Sequence, residues 1–262
     1  MLETLDNKKI LNEIDINGFS IIENYFDKND LESLEKSLLD TLNYIDFNNE
    51  TDLKAKYFKI KLNNPKLKSH WYDISCFNTE MLRSIHTKQI IELVKEYFKT
   101  TVVFSGRPAI HVHDYENDFL LEAHQETKQF ARDFFLFWAP LWDTNKENGG
   151  ITVYKKSHKR GYFEHSIDPE PGQKVWTKQY THVKDKKVLS QFEKINLEVK
   201  AGSAVLLHSA CIHEGYPIKK KTGLRIVITD RLNPLKKIPF LKDENKPMKI
   251  PYTGVDYNQI SD

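Results

Sequence analysis

Residues 202–231 read GSAVLLHSACIHEGYPIKKKTGLRIVITDR, and they decide the fold. Two runs in this stretch, SAVLLHS (203–209) and LRIVITDR (224–231), are short, apolar and bounded by Gly, Pro and Lys, as strands are. In the second, Arg225, Val227 and Thr229 share one face and Leu224, Ile226 and Ile228 the other, because side chains alternate along a strand. Runs of the same kind recur at TVVFS (101–105), AIHVHDY (109–115), DFFLFWAPLW (133–142), GITVY (150–154) and INLEV (195–199). No helical pattern separates them, so the expected class is mainly β with flanking α. The expected architecture is a double-stranded β-helix, that is, a jelly roll or cupin-like core, rather than a βαβ fold.

The first hundred residues have a different texture. NDLESLEKSLLDTLNYI (29–45) sets Leu31, Leu34, Leu38 and Leu42 at helical spacing, with Asn29 or Asp30 as N-cap. KQIIELVKEYFK (88–99) repeats the pattern through Ile91, Val94 and Phe98, and GFSIIENYF (18–26) between the chain start and the first helix reads as a strand. With no repeat or Gly/Ser linker, a single domain is expected over 1–262. It comprises a helix-rich part (1–100), a jelly-roll core (101–232) and a surface tail (233–262). The polar insertion at 160–193 is long enough to act as a lid or binding loop.

Lys and Arg number 39 against 37 Asp and Glu, a net +2, which argues against nucleic acid as a partner. The basic clusters at 154–160 and 218–223 read as solvated loop charge. Cys76 and Cys211 form neither a disulfide framework nor a CxxC pair, which fits a reducing compartment. No apolar leader and no run approaching about 18 apolar residues is present, so no membrane partner and a cytoplasmic location are expected.

Ten histidines invite a search for metal ligands. A mononuclear iron site of the facial-triad kind needs two neutral imidazoles and one carboxylate on one side of the ion. His124 and Glu126, two residues apart in AHQE, supply two donors to one side of an extended segment. Alone such a pair is a chance-level signal. The third donor is His208 or His213; His208 shares a face with Ala204 and Leu206, whereas His213 lies past the strand end, where barrel ligands gather, and is preferred. Arg225, on an otherwise apolar strand, needs an anionic partner or an exit to solvent. A dicarboxylate cosubstrate would supply that partner, and a structural ion pair or an edge-strand charge would do so equally well.

The order His-x-carboxylate, then His, then Arg resembles the Fe(II)/2-oxoglutarate dioxygenases, and most closely their phytanoyl-CoA dioxygenase (PhyH-like) family. AHQE is similar to that family's His-Gln-Asp element. FWAPLWDTNKENGGITVYKKSHKRG resembles its run of strand, acidic turn, Asn-Gly, strand and Ser-His-Lys, and residues 204–231 resemble its terminal His and Arg block. INGFSIIENYFDKNDLESL looks like its lead-in, so the likeness spans about residues 15–232. It implies Fe(II) held by His124, Glu126 and His213, and 2-oxoglutarate held through its C5 carboxylate by Arg225. It also implies O2-dependent hydroxylation of an unactivated C–H bond in a small molecule or small-molecule conjugate. Three departures stand out: Glu126 where Asp is usual, Gly215 where a small hydroxyl residue helps hold the cosubstrate, and Lys155-Lys156 where Pro-Gly is usual. The carboxylate also speaks against halogenation, which leaves that position to halide.

Arg107, His111 and His113 alternate on one strand and, with Trp138, are expected to line the substrate pocket; packed or exposed wall residues are an equal alternative for the histidines. His158 reads as loop support, and His165 and His182 receive no role. Two other functional classes compete: a non-catalytic or degenerate jelly-roll binding protein, and a cupin-like metalloenzyme that does not use 2-oxoglutarate. The second leaves Arg225 without a task.

Overall fold

A computed structural model describes residues 6–47, 49–106, 108–116, 121–126, 133–166 and 182–234. Its strands are β1 (Phe19–Ile22), β2 (Phe104–Ser105), β3 (Ala109–Asp114), β4 (Phe135–Pro140), β5 (Gly150–Lys155), β6 (His165–Ser166), β7 (His182–Val183), β8 (Glu193–Leu197), β9 (Ala204–His208), β10 (His213–Tyr216) and β11 (Leu224–Asn233). The helices α1 (Asn7–Asn17), α2 (Lys28–Asp46), α3 (Leu53–Asn63), α4 (Pro65–Ser75), α5 (Thr79–Ile85) and α6 (Lys88–Phe98) all precede β2. The major sheet runs β1-β9-β4-β11, with β2 and β3 both on the far edge of β11. The minor sheet is β10-β5-β8, and every pairing is antiparallel. The expected mainly β, double-stranded β-helix architecture with flanking helices is the one observed.

The major sheet is covered on both faces, and this sets the character of its central strands. On β11, Leu224, Ile226, Ile228 and Leu232 pack in one core with Leu34, Leu38 and Leu42 of α2 and Ile90 and Leu93 of α6. Val227, on the opposite face, belongs to a second core with Leu136, Trp138, Val205 and Leu207 of the major sheet and Ile151 and Val153 of the minor sheet. Helices cover the major sheet from outside and the minor sheet covers it from inside. All ten residues of β11 are therefore buried, as in strands sandwiched between two layers.

Polar ties hold the helical layer to the strands that carry the site. Asp114, at the end of β3, accepts from Tyr57 Oη and Lys61 Nζ of α3, each at 2.7 Å. Asp230 of β11 is bonded through Oδ2 to His86 Nε2 (2.6 Å) and Ser105 Oγ (2.7 Å). Buried carboxylates satisfied in this way fix the back of the sheet.

Four expectations need correction. α2 starts earlier, at Lys28, because the carboxylate of Asp27 accepts from Asp30 N at 2.9 Å and is the N-cap. The buried stripe of α6 is Ile90, Leu93 and Val94, one step around from the face through Ile91. His213 begins a strand, not a loop, since β10 pairs with β5 from His213↔Val153 to Tyr216↔Gly150. The insertion at 160–193 carries its own pairing, β6 with β7, and a 3-10 turn at Lys186–Gln191. The expectations of a lid and a surface tail rest largely on 167–181 and 235–262, which lie outside the described residues.

Candidate metal centre

Residues 121–126 run along the free edge of β10, joined to it at an isolated bridge between His124 and His213. His124 N donates to His213 O and His213 N to His124 O, both at 2.9 Å, and Gly215 N donates to Leu121 O at 3.0 Å. Two residues that exchange both hydrogen bonds across an antiparallel pair project to the same face. The imidazoles of His124 and His213 accordingly lie with ring centroids 4.3 Å apart. Glu126, two residues on, shares that face, and its backbone N–H is anchored on Ser209 O at 3.1 Å. Its Oε1 is 3.7 Å from Nε2 of both rings. The donor atoms of the three side chains all lie within 4.8 Å of one another, the single such cluster among the described residues.

Backbone carbonyls settle the tautomers. His124 Nδ1 lies 2.7 Å from Glu122 O and His213 Nδ1 lies 3.0 Å from Cys211 O. A carbonyl can only accept, so each Nδ1 carries the proton and each Nε2 turns its lone pair into the cluster. Burial and the neighbouring His124 push the pKa of His213 down against the pull of Glu126, which favours the neutral ring a metal requires. Burial would raise the pKa of Glu126, yet the Arg231 guanidinium beside it holds it well below the carboxylate range. Ligands about 2.1 Å from an octahedral ion are about 3 Å apart, so shifts of about 1 Å in each side chain would close the site. Two neutral imidazoles and a carboxylate, facing an open cleft, are the donor set of non-haem Fe(II).

A cleft opens between the sheets at these three side chains. His111 and His113 of β3, Trp138 of β4, Gly215 of β10, and Arg225, Thr229 and Arg231 of β11 line it with the three donors. Burial, then the charge of Arg231, push the pKa of His111 down to about 4, so this ring is neutral. Arg107 lies outside the described residues. Arg225 is 6% exposed and donates through one terminal nitrogen to Gly150 O (2.9 Å) and Tyr216 O (3.2 Å). Its Nε is buried without a hydrogen-bond partner, and burial brings its pKa down to about 10. Among the described residues no carboxylate pairs with it. A buried guanidinium with an unused donor beside the metal ligands fits the distal carboxylate of 2-oxoglutarate.

His208 stands apart from the cluster. Its side chain faces the helices, edge-on to Tyr97 and tilted against Phe98 with ring centroids 6.2 and 6.3 Å away, and its Nδ1 accepts from Ala210 N at 3.1 Å. His158 supports its loop, bonding through Nε2 to Asp15 O at 3.0 Å.

Three further residues at the centre have no place in the sequence reading. Arg231 pairs with Glu126, Nε to Oε2 at 3.1 Å; extending the alternation of Arg225, Val227 and Thr229 by one step places it on the same face. Gln125, between the ligands, points the other way and is 1% exposed. Its amide donates to Gly161 O (2.8 Å) and Ala210 O (2.6 Å) and accepts from Phe163 N (2.8 Å). His165 of β6 accepts from Gln125 N at 3.0 Å through Nε2, while its Nδ1 donates to Phe163 O. The insertion thereby clamps the backbone between the two ligands. The only sequence signal for Gln125 is its position inside the His-Gln-Glu motif, and His165 leaves none.

Fold and site together define a double-stranded β-helix protein with a candidate two-histidine, one-carboxylate iron centre. Residues 14–222 match the phytanoyl-CoA dioxygenase (PhyH) family, and the chain belongs to it. Arg225 falls just past the matched span. Similar solved structures include AviO1 from Streptomyces viridochromogenes Tue57, at 13% identity and TM-score 0.60 over 90% of this chain and 98% of that one. EvdO2 from Micromonospora carbonacea var. aurantiaca, solved with 2-oxoglutarate, gives 12%, 0.58, 96% and 98% in the same order. The epimerase SnoN, solved with Fe3+, alpha ketoglutarate and nogalamycin RO, gives 11%, 0.59, 86% and 82%. At these identities the likeness is one of fold. Among curated proteins no match is found.

Proposed function

We propose that the chain is an Fe(II)- and 2-oxoglutarate-dependent oxygenase that hydroxylates an unactivated C–H bond of a small molecule or small-molecule conjugate, with O2 as the oxidant. One observation carries the reading: two tautomer-fixed histidines and a carboxylate converge on one point of a cleft that also holds a buried arginine with an unused donor. His124, Glu126 and His213 hold the metal, and Arg225 orients the cosubstrate through its C5 carboxylate. Iron, when bound, supplies O2 activation coupled to oxidative decarboxylation of 2-oxoglutarate. Leu136, Ile151 and Val227 line the cleft with apolar surface, which keeps water from the reacting centre. His111 and Trp138 are assigned to the substrate wall, where a neutral imidazole offers both a donor and an acceptor.

SnoN is an epimerase and SnoK, also similar in fold, a carbocyclase, so the product must be measured rather than assumed. Gain of one oxygen atom in the product mass marks hydroxylation. A non-catalytic binding protein has no use for two fixed Nε2 lone pairs beside a carboxylate, and a metalloenzyme without 2-oxoglutarate leaves Arg225 unpaired. The balanced charge and the buried thiols of Cys76 and Cys211 accord with a cytoplasmic enzyme that binds neither nucleic acid nor membrane. No helix among the described residues is long and apolar enough to cross a membrane. The test is anaerobic loading with Fe(II), then 2-oxoglutarate, watching for the visible metal-to-ligand charge-transfer band. Its absence from folded, iron-loaded protein refutes the proposal; His213→Ala should abolish it and His208→Ala should leave it.

A further inference from the structure

Glu126 presents its two oxygens to different partners. Oε1 faces both imidazoles, 3.7 Å from each Nε2, while Oε2 accepts from Arg231 Nε at 3.1 Å. The second guanidinium contact, to Oε1, is long at 3.5 Å. Both side chains are 5% exposed, so the pair is shielded from water. Arg231 is itself anchored: its N–H donates to Asp230 Oδ1 at 2.6 Å, and its carbonyl accepts from Gly106 N at 2.8 Å. The other oxygen of Asp230 is held by His86 and Ser105.

The consequence is a coordination count. Three protein ligands giving one atom each, plus a cosubstrate giving two, leave one position of an octahedral ion for O2. A carboxylate that binds through both oxygens fills that position. The glutamate arm, one methylene longer than aspartate, has the reach to turn both oxygens to the ion unless one is held away. We infer that Arg231 is a positioning residue that restricts Glu126 to ligation through Oε1 and so keeps the sixth position open. The inference rests on the iron and 2-oxoglutarate reading above.

Nitric oxide, which takes the O2 position on Fe(II) and gives an S = 3/2 electron paramagnetic resonance signal, is the probe. Arg231→Gln keeps a nitrogen donor at the position of Nε without the charge; Arg231→Met has similar bulk and no donor there. Wild type and Arg231→Gln, loaded with Fe(II) and 2-oxoglutarate, should form the nitrosyl signal. Arg231→Met should retain the charge-transfer band yet bind nitric oxide at least about tenfold more weakly, the usual scale for losing a group that orients a ligand. Equal nitric oxide affinity in wild type and Arg231→Met overturns the inference. So does an equal loss in the Gln and Met variants, which would mark charge or packing as the role. If Arg231→Met does not fold, Arg231→Gln decides: a weakened nitrosyl signal with an intact band overturns the inference. A missing band in wild type instead sinks the underlying reading of the site.

Discussion

Arg225→Met separates the cost of burying a guanidinium from the use made of it. In the protein alone, Arg225 is 6% exposed and touches two carbonyl oxygens but no described carboxylate. A desolvated cation without a counter-charge is costly, and its two N–H bonds return about 1 kcal/mol each, so loss of the side chain should change stability by no more than about 1 kcal/mol. Cosubstrate binding should respond very differently. Removing one partner of a buried, hydrogen-bonded charge pair costs about 2–5 kcal/mol. At 1.4 kcal/mol per tenfold, that weakens 2-oxoglutarate binding about 30- to 4,000-fold. Anaerobic titration of the charge-transfer band reads the dissociation constant directly, and urea denaturation reads stability. Pyruvate, a 2-oxo acid with no distal carboxylate, is the control: wild type should strongly prefer 2-oxoglutarate to it, and Arg225→Met should not. An unchanged 2-oxoglutarate dissociation constant, or preserved discrimination against pyruvate, refutes the assignment.

Gln125→Ala removes three hydrogen bonds and leaves one buried and two half-buried backbone groups without that partner, so it should cost about 3 kcal/mol in urea denaturation. It should also weaken Fe(II) binding about 10- to 100-fold, read by competition with a chelator. Burial, reinforced by His158, pushes the pKa of His208 down to about 4, so this ring is neutral when folded and protonates on unfolding. Its contribution is present above the unfolded pKa of about 6.5 and is lost as pH falls towards 4. About 2 kcal/mol should disappear between about pH 7.5 and pH 5, and the His208→Asn variant should lose that much of the pH dependence. Lys156 sits at φ 66°, a left-handed conformation, so Lys156→Gly should raise the melting temperature, by about 1 kcal/mol of stability.

How legible each part was depends on how its burial is achieved. α2 and the central strands of the major sheet announce themselves because apolar side chains do the burying, at helical spacing in the first and as short continuous runs in the second. α3 does not, since Lys56 is fully buried against Asp46 at 2.8 Å and interrupts the stripe in LKAKYFKIKLN. β10 is HEGY, with no alternation and no β-branched residue; hydrogen bonds from β5 on one edge and residues 121–126 on the other impose its conformation. That is why His213 reads as a loop residue and proves to be a strand residue, while its preference over His208 agrees with the geometry. The clamp at His165 depends on which distant neighbour arrives, here Gln125, which local sequence does not record.

Arg231 shows where pattern reading stopped short of the chemistry. Asp230 and Arg231 look like the polar end of a strand, and a polar end normally marks exit to solvent. Here β11 continues to Asn233, and both charges are buried because each finds a partner on its own side of the sheet: Asp230 with His86 and Ser105 behind, Arg231 with Glu126 in front. Glu126 is the residue that departs from the family's usual aspartate, and Arg231 is the residue its second oxygen meets. A longer arm at a metal centre is harmless only if something limits its freedom, and this sheet supplies a guanidinium at the right height to do so. The substitution and the ion pair therefore belong to one arrangement, and changing either alone should disturb the metal more than its separate chemistry suggests.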